Sequence, residues 1–334
     1  MSAPARRHRV TLVAGDGVGP EMADATLHVI DAAGVGIDWE EVVAGERALV
    51  TSGTALPSAA LDSIRKNRVA LKARLRAAPG TTNPNLALRR ELGLRAQLRP
   101  VRSLPGSRYP GLDLVVIRET TEGEYAGLEH RVVPGVVESI KVITEAGCTQ
   151  IAQFAFDYAR RTARKKITAV HKANILKVSD GLFLECVRRV SKGYPEVALD
   201  ERIVDSTCMQ LVLDPYRFDL LVMESFYGDL VADLCAGLAG GISAARAASI
   251  GDGIAVFEAV HDAPPEWIGK NWANPLPLLG SSLLMLEHLG EHEAAARIES
   301  AVSKVLRDGA AVTRDLGGSA RTIEMAEAIA RALD

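Results

Sequence analysis

Arg118 stands at the end of a β-branched run, Val115-Val116-Ile117, and is followed by Glu119, Glu122, Glu124 and Tyr125. Charged and phenolic groups at the mouth of an apolar strand suit ligand binding, because ligands gather at the carboxyl ends of strands in α/β proteins. A polar turn between two strands is the competing explanation. Arg89 lies on a predicted helix 84–92 with Asn85 on the same face, and Arg99 lies on the strand that follows. With Arg118 they make a clamp for a polyanionic substrate, since planar guanidinium forks match carboxylates through two parallel bonds. Each arginine taken singly also suits a solvated surface. Asp229 and Asp233 share one face at the start of a predicted helix 229–238, and Asp205 ends a strand near 198–204. Three oxygen donors of this kind suit a hard divalent cation, and without one their charges repel. A charged capping turn is the alternative. Lys172 directly follows the apolar strand 167–170, where it is either desolvated and poised for proton transfer or extended outward to water.

Alternating strands and helices must carry these groups, which makes the chain α/β. Strand 9–14 runs into Gly15-Asp16-Gly17-Val18-Gly19-Pro20 and a helix 20–33. This turn does not match G-x-G-x-x-G, and Asp16 in it would repel a pyrophosphate, so the start of the chain is not a Rossmann nucleotide site. Residues 36–50 read as strand and turn, 57–66 as a helix and 69–72 as a buried strand. The stretch 73–85 reads as an exposed loop, with Pro79-Gly80 and Asn83-Pro84 as turn formers. Further helices are expected at 143–162, 179–192 and 206–213, two over 276–306 and one over 319–333, with strands at 218–223 and 254–257. The small-residue run after Gly237 reads as a close-packed turn.

The 334 residues are 48% hydrophobic but only 4% aromatic, so the core must be built from aliphatic side chains. A formal net charge of −3 offers no nucleic-acid footprint. The four cysteines, Cys148, Cys186, Cys208 and Cys235, have neither disulfide-framework nor zinc spacing. The first ten residues lack an apolar signal core and no run is long enough to cross a membrane, which points to a soluble, cytoplasmic protein.

Taken together, RETTEGEYAGLEH, TAVHKANILKVSDGLFLEC, FYGDLVADLCAGL, GKNWANP and TRDLGG resemble the isocitrate/3-isopropylmalate dehydrogenase family of metal-dependent β-decarboxylating dehydrogenases, nearest to its NAD-dependent isocitrate dehydrogenases. The resemblance implies a large cofactor-binding domain from residues 1–98 and 250–334 and a smaller inserted α/β domain, 99–249, with a dimer contact near 131–142. It implies a homodimer whose active sites are shared, with Lys172 and Asp205 supplied by the other subunit. Arg89, Arg99 and Arg118 would hold the carboxylates of a di- or tricarboxylate substrate, with Asn83 and Asn85 beside them. Asp205, Asp229 and Asp233 would hold Mg²⁺ or Mn²⁺. Lys172 would help deprotonate the substrate hydroxyl, and Tyr125 would protonate the enol carbon. NAD would lie along His261, Asp262 and Glu266, with Asn174 near the nicotinamide and Asn274 near the adenine. Glu266 would accept from the ribose 2′-hydroxyl and repel a 2′-phosphate, which favours NAD over NADP.

Five departures from the family pattern stand out. Asp262 replaces a glycine near the dinucleotide phosphates, and Trp267 replaces a small aliphatic residue. Glu224 stands where proline is usual, and Ala244-Ala245-Arg246 replaces an A-P-G type run. Asn83 occupies the position of a serine that bonds the γ-carboxylate of isocitrate, in a loop shortened by about two residues, with Arg74 and Arg76 adding charge. An apolar third substituent finds no partner there. Isocitrate fits, as does another 3-substituted malate, a homologue or a phosphono analogue. A catalytically impaired regulatory subunit is the reading from a different class.

Overall fold

The computed structural model describes residues 7–77 and 80–333, so Pro79 of the anticipated turn lies outside the described residues. Among the described residues the strands are β1 His8–Val13, β2 Ile37–Glu41, β3 Val69–Lys72, β4 Ala96–Arg102, β5 Asp113–Glu119, β6 Gly123–Val133, β7 Val136–Val142, β8 Lys166–His171, β9 Ala198–Ile203, β10 Leu220–Met223, β11 Ala248–Gly251 and β12 Ile254–Glu258. The helices are α1 Gly19–Ala32, α2 Glu46–Ser52, α3 Ser58–Asn67, α4 Pro84–Glu91, α5 Glu145–Arg161, α6 Ser179–Ser191, α7 Val204–Leu213, α8 Ser225–Leu238, α9 Leu276–Leu289, α10 His292–Asp308 and α11 Thr322–Arg331.

Ten strands form one sheet in the order β2-β1-β3-β12-β11-β4-β5-β10-β8-β9. The flanks are parallel, as strand–helix–strand crossovers require. The centre, β12-β11-β4-β5, is antiparallel throughout. Three reversals in a row leave the two parallel flanks running in opposite directions. Helices cover both faces, so the strands read as continuous apolar runs: β3, β10 and β12 are buried at every position. The core is aliphatic, with Phe156, Phe183 and Phe257 its only phenylalanines buried to 2% exposure or less. Apart from this sheet, β6 and β7 pair as a two-stranded ribbon that exposes Leu128, Val132, Val133, Val136, Val137 and Ile140.

Three local expectations are corrected. Residues 46–52 are the helix α2, where strand and turn were anticipated; the distant Asp16 carboxylate accepts from Glu46 N, the first amide of the helix, at 3.0 Å. The run after Gly237 contains β11, whose four residues Ala248-Ser249-Ile250-Gly251 carry little strand signal and are held in place by neighbours on both sides. Helix α8 begins at Ser225, not Asp229, because Gly228 is accommodated inside it.

Candidate active site

Gln97 and Arg99 alternate onto one face of β4, and the β4–β5 register sets Arg118 directly opposite Gln97. Gln97 Oε1 accepts from Arg118 Nε at 2.9 Å. Helix α8 crosses above them, bringing Asp229 and Asp233 onto the same face one turn apart. Close approach depends on Gly228: a Cβ there would lie 2.2 Å from Arg118 Cβ. Arg118 Nη1 then reaches Asp229 Oδ1 at 2.8 Å, and Arg99 Nη2 reaches Asp233 Oδ1 at 2.8 Å. His261 Nε2 lies 3.3 Å from the same Asp233 oxygen. Burial would raise the Asp233 pKa, but His261 and Arg99 outweigh it and hold the carboxyl down at about 2. Tyr125, on β6, donates its hydroxyl to Asp229 Oδ2 and lies under the Arg118 guanidinium, 5.4 Å from its ring centre. Burial, with the Asp229 hydrogen bond, raises its pKa, so the phenol is protonated at neutral pH.

Arg99, Arg118, Tyr125, Asp229, Asp233 and His261 line one cleft of about 390 Å³ together with Arg74, Asn83, Asn85, Arg89 and Asp262. Asn83 caps α4, its carboxamide oxygen accepting from Asn85 N at 2.9 Å, so only its NH₂ group is left to face a ligand. Asn85 is likewise engaged: its Oδ1 accepts from Lys72 Nζ at 3.0 Å and its Nδ2 donates to Leu75 O at 2.7 Å. Arg89 donates to Glu258 Oε1 at 3.0 Å, while its buried Nε has no partner. A buried guanidinium with an unused donor beside an open cleft fits an anionic ligand.

Glu258 and Lys72 were not anticipated as site residues. They end the adjacent strands β12 and β3, and Lys72 Nζ lies 3.0 Å from Glu258 Oε2. Gln97 and Ser249 also donate to Glu258, at 3.1 and 2.6 Å. Burial alone would raise the Glu258 pKa, but Arg89 and Lys72 hold it well below the usual range, so this buried carboxylate is ionised. The signal that singled out Arg118 and Lys172, a charge ending an apolar strand, is equally present in VALK and IAVFE.

A second cavity of about 140 Å³ adjoins the cleft and shares His261 and Asp262 with it. Val18, Met22, Ile242, Pro264, Trp267 and Asn274 wall it, giving an apolar slot of the kind that takes a flat heteroaromatic ring. Asn274 is spent within the protein, donating to Ser243 Oγ and Asp315 Oδ2 at 2.6 and 2.7 Å. Glu266 is exposed on the short turn Pro265–Trp267 at the rim. Asn174 is exposed beyond β8 and lines neither cavity. Asp16 does not face a nucleotide: it accepts from the backbone of Arg76 at 2.8 Å and of Glu46.

Asp205 is not brought to Asp229 and Asp233. It sits 69% exposed at the start of α7, where Lys172 Nζ bonds it at 2.7 Å. Among the described residues no three His, Cys, Asp or Glu side chains converge as a metal site. Asp229 and Asp233 are hard oxygen donors of the right type for Mg²⁺ or Mn²⁺, but the third carboxylate of the cleft, Asp262, is paired with Arg76 and does not converge with them.

An α/β protein whose arginine- and carboxylate-lined cleft adjoins an apolar slot has the build of a dehydrogenase acting on a polycarboxylate. The isocitrate/isopropylmalate dehydrogenase profile matches residues 9–329, and the chain belongs to that family. It is 47% identical over 325 residues to isocitrate dehydrogenase [NAD] catalytic subunit 5, mitochondrial, of Arabidopsis thaliana, covering 96% of this chain and 87% of that one. It is 44% identical over 335 residues to a mitochondrial regulatory subunit of isocitrate dehydrogenase [NAD] from Dictyostelium discoideum, covering 99% and 93%. The crystal structure of isocitrate dehydrogenase from Methylococcus capsulatus superposes with a TM-score of 0.93 at 46% identity, over 98% of this chain and 99% of that one.

Proposed function

We propose that this chain is an NAD-dependent decarboxylating dehydrogenase that converts isocitrate to 2-oxoglutarate with Mg²⁺ or Mn²⁺. The observation that carries the reading is that Arg89, Arg99, Arg118, Tyr125, Asp229 and Asp233 line a single cleft that opens onto the apolar slot. Without ligand, the two aspartates neutralise Arg118 and Arg99. Asp229 and Asp233 would hold the cation, and Arg118 and Arg99, released from those carboxylates, would then be free to take substrate carboxylates. When bound, the cation would supply electrophilic stabilisation of the charge left on the substrate oxygen as carbon dioxide departs, and the dinucleotide a hydride acceptor. Tyr125, protonated and aimed into the cleft, returns a proton to the enol carbon.

A second copy of the chain completes this site in the proposed reading. Lys172 and Asp205 are on the surface and not in the cleft, and exposed apolar residues surround both places: Ile175 and Val178 beyond Lys172, Met209 and Leu213 on α7, Phe226 and Leu230 on α8. With the exposed ribbon β6–β7 they give a homodimer a surface to bury. The proposed division at 98/99 and 249/250 falls inside β4 and β11, adjacent strands in which Leu98 pairs with Ala248, so the chain passes between the two units side by side. Among the described residues no helix is long and apolar enough to cross a membrane. A cytoplasmic setting rests on composition alone, and the relatives carry "mitochondrial" in their names.

One observation favours a second reading of the substrate. Arg74 lines the cleft beside Asn83, adding a fourth guanidinium where the third substituent of a malate would lie. A homologue or a phosphono analogue of isocitrate, with its anionic group placed further out, would use it. The deciding assay follows NADH formation with Mg²⁺ or Mn²⁺ on isocitrate, homoisocitrate, isopropylmalate, malate and tartrate, with NAD and NADP in parallel. Fast NAD-linked turnover of isocitrate supports the proposal. Turnover restricted to another 3-substituted malate moves it to the second reading, and silence on every substrate with no NADH binding overturns both.

A further inference from the structure

Arg76, in the charged loop after β3, and Asp262, the departure after β12, meet in the fold. Arg76 Nε donates to Asp262 Oδ2, with the side chains only 21% and 23% exposed. The contact is built from several directions. Arg76 N donates to Asp16 at 2.8 Å, anchoring the backbone beneath the guanidinium. The Gly17 turn leaves room for that guanidinium: a Cβ on Gly17 would lie 2.6 Å from Arg76 Nη2, at a positive φ of 60° that already favours glycine. Asp262 Oδ1 is fixed by Ala263 N at 2.8 Å, and Arg74 ties the same two loops again by donating to Val260 O.

Asp262 belongs to the walls of both cavities. A dinucleotide that places its nicotinamide beside substrate in the cleft and its adenine in the apolar slot must run its pyrophosphate past the junction, where Asp262 stands. An unpaired carboxylate there would repel it. We propose that Arg76 is a positioning residue that makes Asp262 compatible with a dinucleotide, by neutralising that carboxylate and holding it away from the cofactor's path. This rests on the dinucleotide reading above. With the Arg74 contact to Val260 O, the pair also clasps the substrate-side loop to the cofactor-side loop.

The test is a double-mutant cycle on NADH binding, read by fluorescence titration with no turnover, in wild type, Arg76→Gln, Asp262→Asn and the double variant. Thermal melting of each variant confirms folding. Arg76→Gln is expected to weaken NADH binding roughly tenfold, and the double variant to recover to within about threefold of wild type, because the repelling charge is gone. Arg76→Lys, which keeps the charge, should retain most of the affinity. A double variant that binds as weakly as Arg76→Gln, or an Arg76→Gln that binds like wild type, overturns the inference while leaving the dinucleotide reading in place. A folded wild-type protein that does not bind NADH at all overturns both.

Discussion

Arg118 illustrates how one side chain in this site is held by everything around it. Its Nε is bonded by Gln97, its Nη1 faces Asp229 and also donates to Ser225 O at 3.2 Å, its stem rests on Gly228, and its guanidinium covers Tyr125. Such fixation keeps a planar fork ready for a carboxylate without loss of rotamer freedom on binding. Gly228 is the position where this can be broken with one atom. Alanine is a better helix former than glycine, so in open space Gly228→Ala would stabilise α8. Here the added methyl group would meet the Arg118 stem, and the expected result is a net destabilisation of about 1–3 kcal/mol, as for other overpacked sites. The KM for isocitrate should rise with it. A melting temperature and KM equal to wild type would show that Arg118 can shift at no cost. Glu119, beside Arg118 in sequence, acts on the backbone instead, accepting from Thr121 N and Glu122 N, both at 2.7 Å, and so shaping the turn into β6.

Helix α8 carries both cleft aspartates, and the residue just before it, Glu224, is at odds with its surroundings. Glu224 occupies the N-cap position of α8 without a side-chain capping bond, is almost fully buried, and shares the Lys141 ammonium with Asp180, whose Oδ1 lies 2.8 Å from Nζ. Two buried carboxylates and one cation leave one negative charge uncompensated. Burial is the main influence and lifts the Glu224 pKa to about 7, Lys141 offsetting it only in part. Between the unfolded value near 4.5 and about 7, the native protein keeps a proton that the unfolded chain has lost, so stability falls as pH rises through this window. Glu224→Gln removes the titration. Its melting temperature should decline less than that of wild type between acid and weakly alkaline pH, a difference of the order of 1–3 kcal/mol at the alkaline end. Parallel curves for the two proteins would sink this account. The same stretch shows why α8 starts earlier than its sequence suggests. Glycine at 228 signals a break, and nothing nearby in the chain reveals that an arginine from β5 fills the space where its side chain would be.

Across the whole molecule, the two flanks of the sheet meet at β4 and β11, and the cleft draws on both: Arg89 and Asp262 from one side, Arg118, Asp229 and Asp233 from the other. Lys172 and Asp205 remain on the surface, so a dimer with shared sites makes a quantitative prediction. Lys172→Ala and Asp229→Asn proteins are each expected to be inactive. In a refolded equimolar mixture, half of the dimers are hybrids, each with one intact and one doubly damaged site, and about a quarter of wild-type activity should return. Persistent inactivity in hybrids verified by mass would place Lys172 and Asp229 in the same chain's site. The α/β class, the strand ends that carry Arg118 and lead into Lys172, and the one-turn spacing of Asp229 and Asp233 were all legible in the sequence. Each follows from a period of two or 3.6 residues that operates within a few positions of the chain. The partners of those charges were not. Arg99 finds Asp233 across 134 residues, Arg76 finds Asp262 across 186, and Arg89 finds Glu258 across 169. These pairings come from strand order and register, which are settled by burying the sheet as a unit and leave no trace in any local window. Whether Asp16 and Asp262 oppose a nucleotide or are neutralised within the protein was therefore decided by the folded chain, through the backbone amides that reach Asp16 and the guanidinium that reaches Asp262.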